Sequence, residues 1–165
     1  LPIILPNIDE KEINALVDSL DNNIYLVANN IYGLNYIPSH PVIGGLGLNI
    51  NNDFAIKSLS DLGVKSIVLS LETNINFAKL HEDAFIYDIG YNVMMNFTHC
   101  PFIHLTGKNC ASCQYNSSLE YKDEFNKSFA IRRIKINSCH FELINYRPIN
   151  VYKKNNNQYL INYTK

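Results

Sequence analysis

The chain has 165 residues, 47% of them apolar and 18% charged, with a formal net charge of −1. That length suits one domain with a proper core, and the near-neutral balance excludes a global field for nucleic acid or anionic lipid. No run approaches the roughly 20 apolar residues of a membrane helix, so no membrane partner is expected.

The first residues, Leu1-Pro2-Ile3-Ile4-Leu5-Pro6, are apolar but too short for a signal peptide and lack a basic leader. Without an initiator Met they read as a cut through a longer protein, and Pro2–Leu5 reads as a strand. Asp9 resembles an N-cap, with Glu12 as its capping-box partner. Ile13, Leu16, Val17 and Leu20 then repeat at helical spacing, predicting an amphipathic helix. Ile24–Ala28 is a second strand, and Val42–Ile50 a third with Gly44, Gly45 and Gly47 inside it. Those glycines lie within a strand, not between strand and helix, so they relieve crowding and do not form a dinucleotide loop.

Asn52 or Asp53 caps the next helix, which buries Ala55, Leu59 and Leu62 and stops at Gly63. Ile67–Ser70 is a fourth strand, Thr73–Leu80 a short helix and Ala84–Tyr87 the start of another strand. Strands recurring about every twenty residues with helices between them indicate parallel βα units, in a half barrel or a small open sheet. The character changes near Tyr91, dividing residues 1–92, the βα units, from a β-rich, cysteine-bearing segment at 93–165. Within that segment Asn116–Asn126 reads as loop. Phe129–Ile136 reads as a strand with mixed faces, followed by strands at Phe141–Tyr146 and Ile149–Tyr152. Asn155-Asn156-Asn157 predicts a turn into Tyr159–Tyr163, closing a hairpin.

All four cysteines fall in this second part, at Cys100, Cys110, Cys113 and Cys139. Thiolates suit iron–sulfur clusters and zinc, and two of them separated by two residues can bite one metal from a single turn. Two disulfides, or unligated core cysteines, are the alternatives. Asn96, Asn116, Asn126 and Asn162 begin glycosylation-type triplets, which arise by chance in an Asn-rich chain; the tight Cys110–Cys113 pair favours a reducing, cytoplasmic setting. His99 and His140 each neighbour a cysteine and either could replace a thiolate in a mixed zinc site, but with His104, which lies between two cysteines, they read first as structural histidines. The polar ends of the βα strands are a second candidate site, with Glu72 as a general base and Asn49 and Asn51 as substrate contacts. Helix capping or a solvated turn explains the same residues without chemistry.

Several motifs in order resemble peptidase family U-32, the collagenase-like proteins of unassigned catalytic type. They are Gly47-Leu48-Asn49-Ile50-Asn51-Asn52, Leu62-Gly63-Val64 with Ile67-Val68-Leu69-Ser70-Leu71-Glu72, Tyr91–Met95 running into His99-Cys100-Pro101, and Cys110-x2-Cys113 followed by Asp123, Phe129, Cys139 and Ile144-Asn145. The resemblance implies the C-terminal half of a (βα)8 TIM-like barrel followed by the Cys-rich segment. A missing N-terminal barrel half or a homo-oligomer would then complete the fold. It further implies a 4Fe–4S cluster on Cys100, Cys110, Cys113 and Cys139, beside the strand ends around Asn51 and Glu72. The implied activity is oxygen-independent hydroxylation of RNA or a small aromatic, with prephenate as a possible co-substrate. Collagenase-like proteolysis and a zinc-stabilised, non-catalytic binding module are the alternatives.

Overall fold

A computed structural model describes residues 9–81, 83–107, 113, 119–150 and 158–162. The predicted strand at Pro2–Leu5 lies outside them. The chain is mixed α/β, with a parallel layer and an antiparallel sheet, and the described residues form no closed barrel.

Helix α1 (Glu10–Asp18) buries Ile13 and Val17 against β1 (Leu26–Ala28) and β2 (Val42–Gly44). Leu16, on the predicted apolar stripe, is 58% exposed. Strand β2 is shorter than expected. After Gly44 the chain folds into a 3-10 turn, Leu46–Leu48, and Asn49 takes a left-handed conformation at φ 49°. Close approach is the reason: a Cβ on Gly47 would lie 1.9 Å from the Asn29 carbonyl oxygen. Ile50 then rejoins the layer through a parallel bridge to Leu69.

Asn52 caps α2 (Asp53–Asp61), its side chain accepting the Ala55 N–H at 2.9 Å. Gly63, at φ +98°, follows the helix and frees the chain to enter β3 (Ser66–Ile67). Helix α3 (Ile75–Leu80) leads into β4 (Phe85–Gly90). Strands β1, β2 and β3 pair in parallel, and a bridge from Val68 to Phe85 carries the layer on to β4. Ile50, Ile67, Leu69 and Ile86 pack against Ile56 and Leu59 of α2 and Phe77 of α3. Leu62, expected on that buried face, is 59% exposed.

Four strands form the antiparallel sheet in the order β5 (Val93–Phe97), β8 (Cys139–Asn145), β7 (Ser128–Lys135), β6 (Leu119–Lys122). Strand β6 occupies part of the stretch expected to be loop, because Leu119 pairs with Ile131 and packs over Phe102 and Phe141. The short helix α4 (Pro101–Thr106) supplies Phe102 to that cluster.

Among the described residues the expected C-terminal hairpin pairing is not seen. Strands β9 (Ile149–Asn150) and β10 (Gln158–Asn162) both pair with β4, antiparallel and parallel respectively, and not with each other. Backbone groups of β4 thus compete successfully for both, and the last strand returns to the parallel layer. Among the described residues no helix is long and apolar enough to cross a membrane.

Candidate functional site

A basin of about 660 Å³ opens where the parallel strands end. Asn29 follows β1, Leu46, Gly47 and Asn49 follow β2, Ser70 and Glu72 follow β3, and Tyr91 and Asn92 follow β4. C-terminal strand ends gather side chains in this way because each strand delivers its loop to the same edge of a parallel layer. Arg132 and Ile134 of β7 and Glu142 of β8 close the other wall.

Glu72 and Asn49 therefore line the basin together. The Ser70 hydroxyl donates to Asn49 Oδ1 at 2.5 Å and accepts the Glu72 N–H at 3.2 Å, so one side chain ties two strand ends. Asn51 is not a lining residue; its Oδ1 accepts from Asn52 Nδ2 at 3.0 Å, beside the α2 cap. Among the described lining residues no serine or cysteine meets a histidine, and Ser70 has no base to activate it.

Arg132 and Glu142 were not among the expected site residues. They stand directly opposite one another on β7 and β8. Arg132 Nε donates to Glu142 Oε2 at 2.8 Å, and its Nη2 donates to the same oxygen. The side chains are 19% and 6% exposed, which makes this a largely desolvated pair in the basin wall. Adjacent arginines in a strand must point to opposite faces, and that alternation is the signal in Arg132-Arg133. Which face meets the basin is a tertiary matter.

Cys100 and Cys139 lie on the other face. They pack with Phe97, Phe102, Ile131, Phe141 and Leu143. Arg133 Nη1 donates to Cys113 Sγ at 3.1 Å. Register agrees: Arg133 faces Phe141 and Lys135 faces Cys139, whereas Arg132 faces Glu142 and Ile134 faces His140. Cys100 and Cys139 thus do not sit beside the strand ends around Asn51 and Glu72. One sheet separates them, because strand periodicity sends Cys139 away from Glu142.

Among the described residues Cys100, Cys113 and Cys139 form no disulfide. Cys110 lies outside the described residues, as does the predicted loop's beginning at Asn116. Among the described residues no three His, Cys, Asp or Glu side chains already stand close enough to hold an ion. Thiols are the soft donors that an iron–sulfur cluster takes; Cys100 and Cys139 have aromatic neighbours and Cys113 a guanidinium.

His140 plays the structural part expected of it, through a partner the sequence did not suggest. Asp9 does not cap α1 with its side chain. Its Oδ1 accepts the N–H groups of Asn137 and Ser138 at 2.9 and 3.2 Å, and its Oδ2 meets Ser138 Oγ at 2.9 Å and His140 Nε2 at 3.0 Å. Burial pushes the Asp9 carboxyl upward, but the bonds from His140, Ser138 and the two backbone N–H groups outweigh it and lower the pKa to about 2. Serine, histidine and aspartate meet here without forming a catalytic triad. Ser138 and Asp9 share one imidazole nitrogen, while the buried Nδ1 has no hydrogen-bond partner. A triad needs the two on opposite nitrogens. The cluster is a clamp that fastens the β7–β8 turn to the start of α1.

Comparison with protein-family models, with curated proteins and with solved structures returned no match to this chain.

Proposed function

We propose that Cys100, Cys110, Cys113 and Cys139 hold a 4Fe–4S cluster and that the chain belongs to an oxygen-independent hydroxylase whose substrate enters the basin. The observation that carries this reading is that Cys100 and Cys139, distant in sequence, pack on the sheet face from which Arg133 donates to Cys113 Sγ. A bound cluster supplies one-electron chemistry. The residues of the basin supply binding: Asn49, held by Ser70, offers an amide to a substrate hydroxyl or carbonyl, and Glu72 at the rim accepts a proton.

The basin favours a small polar aromatic over RNA as substrate. Its volume lies in the range that encloses a small ligand, which includes a molecule the size of prephenate as co-substrate. Its charged lining residues are Glu72, Glu142 and Arg132, and Arg132 is engaged by Glu142. That leaves no cationic track for a phosphate backbone. In the same reading the parallel strands are the C-terminal half of a (βα)8-type barrel, completed by a further segment or a second copy. The parallel order β1-β2-β3, with the bridge to β4, supports it.

Anaerobic purification tests the proposal. Stoichiometric iron and sulfide with broad visible absorption are expected, together with a small aromatic acid in mass spectra of the native protein. Stoichiometric zinc without sulfide would replace this reading with the binding-module alternative.

A further inference from the structure

We infer that Asn49 makes the basin a reader of hydrogen-bond acceptors, a carbonyl or carboxylate oxygen on a small ring-bearing ligand, and that Ser70 is the positioning residue that orients its amide. This deepens the basin reading above and rests on it, but needs no cluster. Ser70 is 4% exposed. Its N–H donates to the Ile50 carbonyl at 2.8 Å, its carbonyl accepts the Thr73 N–H at 3.0 Å, and its Oγ accepts the Glu72 N–H at 3.2 Å. The hydroxyl has a single proton, and Asn49 Oδ1 takes it at 2.5 Å. The opposite amide orientation would set Nδ2 against Oγ and strip that buried proton of its acceptor, which costs more than a hydrogen bond gains. Oδ1 is therefore occupied, and the donors of Nδ2 are what Asn49 offers to the basin it lines.

The backbone supports the same role. Asn49 stands at φ 49° and ψ 51°, a left-handed conformation that Asn adopts more readily than most residues. Its N–H donates to the Leu46 carbonyl at 3.0 Å. Backbone and side chain are both set before a ligand arrives, and a preorganised donor loses little entropy on binding. The remaining lining favours a neutral carbonyl over a carboxylate. Glu72 and Glu142 bring carboxylates, and the Arg132 guanidinium is already bonded to Glu142. Leu46, Leu71 and Val93 give a ring its apolar surroundings.

The experiment titrates the full chain, purified anaerobically and labelled with nitrogen-15, with acetophenone, benzoate and benzylammonium, and follows backbone and Asn side-chain amides by NMR. Acetophenone only accepts, benzylammonium only donates, and benzoate adds a charge to the acceptor. Wild type is expected to bind acetophenone most tightly, with the Asn49 Nδ2 protons shifting. Asn49→Gly suits the left-handed backbone and should weaken acetophenone about fivefold, the worth of one hydrogen bond. Asn49→Asp exchanges donor for acceptor and should reverse the order in favour of benzylammonium. Ser70→Ala should narrow the preference without abolishing binding, and Ser70→Thr should restore it. Tightest binding of benzoate, lost in Asn49→Gly, supports the donor and assigns the oxygen to a carboxylate. An Asn49→Gly protein with a native spectrum and unchanged affinity for acetophenone and benzoate overturns the inference, as does a wild-type preference for benzylammonium. No shift with any of these probes overturns the inference and the basin reading together. Iron and sulfide assays bear on the cluster alone, so a chain lacking both leaves the role of Asn49 standing.

Discussion

Glu142→Ala tests how the basin wall is held. Glu142 accepts two N–H groups of Arg132, and the two side chains are 6% and 19% exposed. Truncation removes the carboxylate and strands a guanidinium between the layers. Breaking a buried pair from one side costs about 3–5 kcal/mol. Arg132 keeps some contact with solvent, which places this case at the low end, about 3 kcal/mol. The double variant Arg132→Met, Glu142→Leu should recover most of the loss, because replacing both partners with apolar groups leaves no charge unpaired. Urea unfolding of the anaerobically purified protein, followed by circular dichroism, reads these differences as shifts in midpoint. The cycle should return a coupling of about 2 kcal/mol. The reasoning fails if Glu142→Ala costs less than about 1 kcal/mol, the range of a surface pair. It fails equally if the double variant costs as much as the two single changes added together.

The Asp9 clamp predicts an acid limb. Its folded pKa, about 2, lies below the ordinary 3.8, so its contribution to stability is complete above about pH 4 and disappears as pH falls through about 2. Urea midpoints measured from pH 5 to 2 should fall more steeply in wild type than in Asp9→Asn, and equal slopes would dismiss the clamp. Gly47→Ala should cost about 3 kcal/mol, the upper end of overpacking, since its Cβ meets a backbone carbonyl. Gly107→Ala, with open space around it but φ +63°, should cost about 1 kcal/mol; similar midpoints for the two would contradict the close approach at Asn29. Cys113→Ser and Cys139→Ser should each lower iron content and thermal midpoint together, whereas loss of neither would remove both residues from the proposed ligand set.

Much of the first eighty residues was legible because local physics decides it. Helical spacing at Ile13 and Val17, the Asn52 cap and the Gly63 stop each act within a few residues, and the structure keeps them. The antiparallel sheet begins at Val93, close to the change of character at Tyr91, but β9 and β10 return from the later part to pair with β4. Less was legible where a segment had two possible partners. Asp9 sits where a cap belongs, yet its carboxylate bonds to a turn some 130 residues away, because four donors there outcompete the helix end. The last two strands looked like a hairpin, but β4 offered both of its edges.

The candidate site divides along the same line. Composition and spacing alone singled out four cysteines as a soft-ligand set, and strand periodicity alone separated Arg132 from Arg133. Only the tertiary structure decided that Cys100 and Cys139 lie on the face of the antiparallel sheet turned away from the basin. A residue's face follows from its place in a strand, but which face meets the parallel layer depends on how two layers pack, and no local pattern encodes that.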